Sequence, residues 1–324
     1  MNQILTPGRW RGLKTTSTSH NVFTILAFDQ RGTYRKMLPP ETDYDTAVQI
    51  KSEVVTALSY ESSAVLLDSS YGLKSALSMS GSSGLLLSLE ESGYSGDSTE
   101  RHIVFNPDWT VAKIKQFGAS AVKMLAYYHP HAGALAEEIE SVIAGVRDEC
   151  RQHDIPLFLE PLCYSLDASI SKESEAFAKT RPQVVRDTAD RLGKLRPDVL
   201  KLEFPVDVSY DQDENSWRAA CEAVSQVSEV PWVLLSAGVN FETFERQTRI
   251  ACEAGASGFL AGRAIWKEAV VMSPEERRQF LATTAAERLR RLSAISNESA
   301  RPWTDFYRPI PLTTHWYKDY PAPS

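Results

Sequence analysis

The chain of 324 residues is short of several things, and each shortage removes a class of protein. Its four cysteines, Cys150, Cys163, Cys221 and Cys252, are scattered with no Cys-x-x-Cys pair, which predicts reduced thiols in a cytoplasmic protein and no disulfide framework. Lysine and arginine number 35 against 42 acidic residues, a net charge of −7, so general affinity for nucleic acid or an anionic membrane surface is not expected. No apolar run approaches the roughly 18 residues of a membrane span. The opening "MNQILTPGRWRGLKTTSTSHN" lacks the apolar centre of a secretory signal. There is no glycine-rich dinucleotide fingerprint and no internal sequence repeat. What is left, at 43% hydrophobic and 24% charged, has the balance of an ordinary soluble globular protein, long enough for one large domain or two.

Short apolar runs recur along the chain, separated by amphipathic segments. The strand candidates are "VFTILAFD" (22–29), "AVLLD" (64–68), "GLLLSLE" (84–90), "AVKMLAYY" (121–128), "PLFLEPLCY" (156–164), "VLKLEFPV" (199–206), "WVLLSAG" (232–238) and "GFLAGR" (258–263). Helical patterns lie between them, among them "YDTAVQIKSEVVTALS", "ALAEEIESVIAGVRDECRQH" and "PQVVRDTADRLGKL"; the short "YGLKSALSMS" after the second strand is the weakest of the series. Alternation of this kind argues for parallel βαβ units, and eight of them predict a closed (β/α)8 (TIM) barrel rather than an open doubly wound sheet. The barrel is assigned to residues 1–300 as a single domain. The Pro- and aromatic-rich tail, 301–324, is expected to pack on the barrel or on a neighbouring subunit of a homo-oligomer, because such aromatic density does not suit free disorder.

Charge inside these strands is the informative feature. Strand one ends in Asp29, followed by Gln30 and Arg31; strand two ends in Asp68 and strand three in Glu90. Strand four carries Lys123, strand five Glu160, strand six Lys201 and Glu203, and strand eight ends in Arg263. With a side-chain period of two, Lys201 and Glu203 share one face, and burying unpaired charges there would be costly. Each taken alone has an ordinary explanation: a strand-end carboxylate often caps the next helix, and a buried Lys beside a Glu can be a structural ion pair. Several strands contributing at once is a different matter, because barrel active sites form at the C-terminal ends of the strands. Two further loops suggest anion binding. "LLSAGV" offers Ser236, Ala237 and Gly238 after strand seven, and "LAGRAIW" offers Gly262 and Arg263 after strand eight, the usual phosphate position of this fold.

A lysine on such a strand has a natural chemistry: its neutral amine attacks a ketone, and the protonated Schiff base is an electron sink for breaking the neighbouring C–C bond. Burial and a nearby cation such as Lys123 would lower its pKa, and a carboxylate such as Glu160 would move protons. The motifs "LAFDQRGTYRKML", "VLLDSSYGL", "GLLLSLEESGY", "SAVKMLAYY", "FLEPL", "DVLKLEFPV", "LLSAGV" and "GFLAGRAIW", in order from about residue 22 to "PWT" at 302–304, resemble the class I tagatose 1,6-bisphosphate aldolases. That resemblance implies a (β/α)8 aldolase using a lysine Schiff base and no metal or other cofactor. Its substrate would be a phosphorylated sugar, tagatose 1,6-bisphosphate and also fructose 1,6-bisphosphate, split into dihydroxyacetone phosphate and glyceraldehyde 3-phosphate. Carried over by motif, Lys201 resembles the Schiff-base lysine and Glu160 the acid/base. Asp29 and Lys123 match polar groups at the reacting carbons, and Ser236, Gly238 and Arg263 match the phosphate grip. Gln30 and Arg31 suit the far end of the substrate, Glu203 reads as an electrostatic partner of Lys201, and Asp68 reads equally as a substrate contact or a loop anchor.

Other readings compete. "PWVLLSAGV" and "ASGFLAGRAIW" also look like the class I sulfofructose-phosphate aldolases, whose substrate ends in a sulfonate, and "SS" in "VLLDSSYGL" stands where the tagatose group typically has a proline and an acidic residue. A metal-dependent aldolase would need histidines, of which "HPH" (129–131) offers His129 and His131 in an apparent loop. A sugar-phosphate-sensing barrel that has lost catalysis is the third alternative.

Overall fold

The structure, a computed structural model, describes residues 3–311, 313–318 and 320. Eight parallel strands close on themselves in chain order: β1 (Phe23–Phe28), β2 (Ala64–Leu67), β3 (Gly84–Ser88), β4 (Ala121–Tyr127), β5 (Leu157–Leu162), β6 (Val199–Leu202), β7 (Trp232–Leu235) and β8 (Gly258–Ala261). This is the (β/α)8 barrel that the alternation predicts. Every residue of β1, β2, β6, β7 and β8 is buried, as expected of strands covered on both faces.

The two faces form two distinct cores. Leu26, Phe28, Val65, Leu67, Leu200 and Leu202 point outward into the large cluster shared with the helices. Phe23, Ile25, Ala64, Leu66, Phe158 and Val199 point inward and fill the lower barrel. The inner cluster continues below the strands through Leu5, Leu13, Trp303 and Tyr307. Leu13 belongs to the helix Pro7–Thr16, and a short parallel pairing of Gln3–Leu5 with Tyr307–Pro309 closes that end. Trp10 and Trp303 meet edge to face with ring centroids 4.7 Å apart, and Arg9 pairs with buried Asp198 at 2.6 Å. The first part of the aromatic tail therefore packs against the base of the barrel, while Trp316 and Tyr317 stay largely exposed.

Helix boundaries differ from the sequence expectation in several places. The helix expected to start at Pro182 starts at Glu175, where the Ser174 side chain accepts the Phe177 N–H; Pro182 lies within the helix. The helices Pro274–Phe280 and Ala286–Ser299, joined by a π-helical turn, have no counterpart in the expectation, because their sequence is dominated by charged and small residues. After β2, the weak segment does form a helix, but only over Leu73–Ser78.

Candidate active site

The same inward parity that builds the lower core builds the site above it. In β4 the inward positions run Ala121, Lys123, Leu125, Tyr127; in β5 they run Phe158, Glu160, Leu162; in β6 and its continuation they run Val199, Lys201, Glu203. Apolar side chains occupy the bottom layer and charged ones the next, toward the C-terminal ends of the strands. They open into a cavity of about 310 Å³ lined by Asp29, Gln30, Arg31, Lys123, Glu160, Lys201, Glu203, Ser236, Ala237, Gly262 and Arg263. Gly238, the remaining predicted position, stands directly behind Arg263: a Cβ there would come within 2.9 Å of the guanidinium carbon, so only glycine allows the arginine this position.

Lys123, 1% exposed, is the hub. Its Nζ lies 2.8 Å from Asp29 Oδ2, 2.8 Å from Glu90 Oε1 and 2.9 Å from Glu160 Oε2. The other Glu160 oxygen, Oε1, lies 2.9 Å from Lys201 Nζ, so Glu160 bridges the two lysines. Burial opposes the Lys123 charge, but Asp29, Glu160 and Glu90 outweigh it and hold the ammonium well above its ordinary pKa. Asp29 is likewise penalised by burial yet kept below the ordinary carboxylate range by Lys123 and Lys201. Burial raises Glu90, against Lys123 and Arg31. Lys123 is the cation expected near Lys201, and it is tied to three carboxylates, one of which, Glu160, it shares with Lys201.

Glu203 departs from its expected role as well. It faces the cavity, but its partners are Lys172 (Nζ to Oε1, 2.6 Å), Arg181 (3.6 Å) and Cys163, whose N–H and S–H donate to Oε2 at 2.9 and 2.8 Å. Lys201 pairs with Glu160 instead, because the cross-strand neighbour reaches it. Asp68 lies outside the cavity: it binds Lys51, buried against the rings of Phe28, Tyr34 and Tyr71, and accepts the Ser70 and Tyr71 N–H groups. Of its two readings, the loop anchor holds. Arg31 is buried and donates to the Glu90 carbonyl at 2.7 Å, with the Glu90 and Glu91 carboxylates at 3.5 and 3.7 Å. His129 and His131 also sit outside the cavity, His129 against Tyr164 and His131 beside Asp187.

The loops after β7 and β8 meet as a cradle. Ser236 Oγ accepts the Gly262 N–H at 3.2 Å. Ala237 and Gly238 both take positive φ, at 46° and 84°, a strained turn for the alanine of the kind that clusters at ligand sites. Among the described residues the Arg263 guanidinium has no hydrogen-bond or ion-pair partner; burial lowers its pKa, countered by Asp29 and Glu160. Sequence reasoning placed Glu90 at a strand end but left it out of the site, although the period of two from Leu86 and Ser88 points it inward. Lys172, on the irregular segment after β5, carries no sequence signal of its own.

A barrel with linked lysines and carboxylates at its strand ends is suited to Schiff-base and acid–base chemistry, and comparison with known proteins gives the aldolase class. A family profile described as DeoC/LacD family aldolase matches residues 23–268. Tagatose 1,6-diphosphate aldolase 2 of Streptococcus mutans is 33% identical, covering 93% of this chain and 98% of that protein. Tagatose 1,6-diphosphate aldolase of Lactococcus lactis is 32% identical, covering 93% and 99%. Among solved structures, an archaeal fructose 1,6-bisphosphate aldolase superposes with a TM-score of 0.60 at 19% identity, over 88% of this chain and 98% of the other. The Plasmodium falciparum fructose-bisphosphate aldolase gives 0.68 at 12% identity over 93% and 98%; at these identities the likeness concerns the fold. The chain belongs to the DeoC/LacD aldolase family.

Proposed function

We propose that the protein is a class I aldolase that cleaves a ketose 1,6-bisphosphate through a Schiff base on Lys201, with tagatose 1,6-bisphosphate as the leading substrate and fructose 1,6-bisphosphate as a second. The observation that carries this reading is the Lys201–Glu160 contact at 2.9 Å inside a cavity whose neighbouring wall presents Arg263, without a partner among the described residues. Arg263, with the Ser236–Gly262 cradle, receives the phosphate beside the carbonyl. The Lys201 amine, its proton passed to Glu160, attacks the C2 carbonyl; Glu160 returns that proton to the carbinolamine hydroxyl, which leaves as water and gives the iminium. Glu160 then takes the proton of the C4 hydroxyl as the C3–C4 bond breaks and the bonding electrons move into the iminium. Glyceraldehyde 3-phosphate leaves, the enamine is protonated at C3, and water releases dihydroxyacetone phosphate. Lys123 keeps Asp29 ionised and holds Glu160 in place, so that Asp29 can orient substrate hydroxyls. The names of the Streptococcus mutans and Lactococcus lactis relatives support the choice of tagatose bisphosphate.

The test is covalent trapping. With dihydroxyacetone phosphate and borohydride, mass spectrometry should find one reduced adduct on Lys201, and Lys201→Met should lose both adduct and turnover while melting normally. An adduct on Lys123, with Lys201→Met still active, would overturn the assignment. Turnover of tagatose and fructose bisphosphates against sulfofructose phosphate decides between phosphate and sulfonate at the far end, and turnover itself separates an enzyme from a sensor.

A further inference from the structure

The charges lining the cavity do not serve equal ends. On the β7–β8 side stands Arg263, without a partner among the described residues, while Lys201 and Lys123 are tied to Glu160 at the centre. A substrate held at Arg263, with its carbonyl at β6, can extend its other end toward the β4–β5 side. The wall there is formed by Tyr127 of β4, Leu162 of β5 and Lys172 from the segment after β5. Arg31, the other cation near the mouth, is fixed by three contacts to Glu90 and Glu91.

Lys172 differs from all of these. Its side chain is 25% exposed, and among the described residues its one ion-pair partner is Glu203, at 2.6 Å. Burial opposes its charge, but Glu203 holds its pKa above the ordinary value, so it is a cation at neutral pH. Glu203 in turn does not depend on it: the Cys163 N–H and S–H groups and Arg181 remain when the lysine moves. Leaving a buried carboxylate bare would be costly, and here that cost is largely avoided.

We infer that Lys172 is the specificity-determining residue for the far end of the substrate, exchanging Glu203 for the terminal oxyanion, phosphate or sulfonate, of the aldehyde half. This rests on the aldolase reading above and names a contact that reading leaves open. The lysine acts as a compact point charge on a mobile stem, with three donors to offer one oxyanion.

The experiment compares wild type with Lys172→Met and Lys172→Arg on three substrates: ketose 1,6-bisphosphate, sulfofructose phosphate, and a ketose 1-phosphate without a terminal anion. Lys172→Met should lose about 10- to 150-fold in kcat/KM on whichever charged-end substrate the enzyme uses, as expected for one charge-assisted contact, and under about 3-fold on the ketose 1-phosphate. Lys172→Arg should recover most of the loss. Loss with the bisphosphate alone, or with the sulfonate alone, identifies the oxyanion. An equal loss on all three substrates, or none on any, overturns the inference. Dihydroxyacetone phosphate, which lacks the far half, controls for the rest: borohydride should trap Lys201 in the variant as fast as in wild type, which also shows that the variant folds. Failure of wild type to trap any adduct would overturn the aldolase reading itself, whereas normal trapping with unchanged substrate selectivity would overturn the Lys172 inference alone.

Discussion

Two buried lysines show why residue type alone does not decide function. Lys51 and Lys201 each sit beside one carboxylate, but Lys51 is enclosed by Phe28, Tyr34 and Tyr71, whereas Lys201 opens on the cavity. The structural ion-pair explanation holds for Lys51; for Lys201 the open wall leaves room for a ketone. Glu160 is the residue whose two oxygens join the lysines, so Glu160→Gln keeps the shape and removes the proton acceptor. Turnover should fall by about 10²–10⁴-fold, the range of a general acid–base group, with a near-normal melting temperature. Steady-state kinetics and a thermal melt check both halves of that statement. Arg263→Ala should cost about 10- to 150-fold in kcat/KM on every substrate carrying the carbonyl-side phosphate. Because Arg263 has no partner to strand among the described residues, the stability of the variant should be close to wild type; a large loss of melting temperature instead would mark it as a brace of the barrel rim.

At the scale of elements, barrel closure depends on one glycine. Gly258 pairs with Phe23 where β8 meets β1, at φ 124°, and a Cβ there would lie 1.9 Å from the Phe23 carbonyl oxygen. The strain of a positive φ costs roughly 1–3 kcal/mol, and the clash with a fixed backbone atom adds to it. Gly258→Ala is therefore expected to lose more than about 3 kcal/mol, read in a urea melt, and to lower the yield of folded protein. Full stability would mean that β8 can shift its register without harm. Ala237 and Gly238 concern function instead: their positive φ values fold the loop after β7 back onto Arg263.

Across the whole molecule the two ends of the barrel divide the work. The C-terminal ends of the strands hold the charged cavity, while the opposite end is sealed by Leu5, Leu13, Trp303 and Tyr307. Trp303 donates its indole N–H to Ser17 Oγ at 3.0 Å, and the Tyr307 hydroxyl donates to the Asp198 carbonyl at 2.8 Å. Truncation after Pro302 removes both rings from the base and touches nothing in the cavity. Loss of one large buried aromatic costs about 3–5 kcal/mol, so the melting temperature should drop by roughly 10 °C or more. In an assay well below that temperature, kcat/KM should stay within about twofold of wild type. A selective loss of activity with unchanged melting would instead connect the tail to the site.

The barrel and most of its charged wall were legible in the sequence because both depend on local periodicity. Strand–helix alternation fixes the architecture, and a period of two sends Lys123, Glu160, Lys201 and Glu203 inward whatever the helices outside do. Pairing is a different property. Whether Lys201 meets Glu160 or Glu203, and whether Arg31 is free or tied to Glu90, depends on the registry between strands brought together from distant parts of the chain. Lys172 is the clearest case, since nothing in an irregular segment reveals where its side chain ends. The sequence by itself determined the fold and the chemical types in the site. Which lysine is saturated with carboxylates, which arginine has no partner among the described residues and which lysine reaches Glu203 were decided by the tertiary structure, because ion pairing acts over a few ångströms between residues that are remote in sequence.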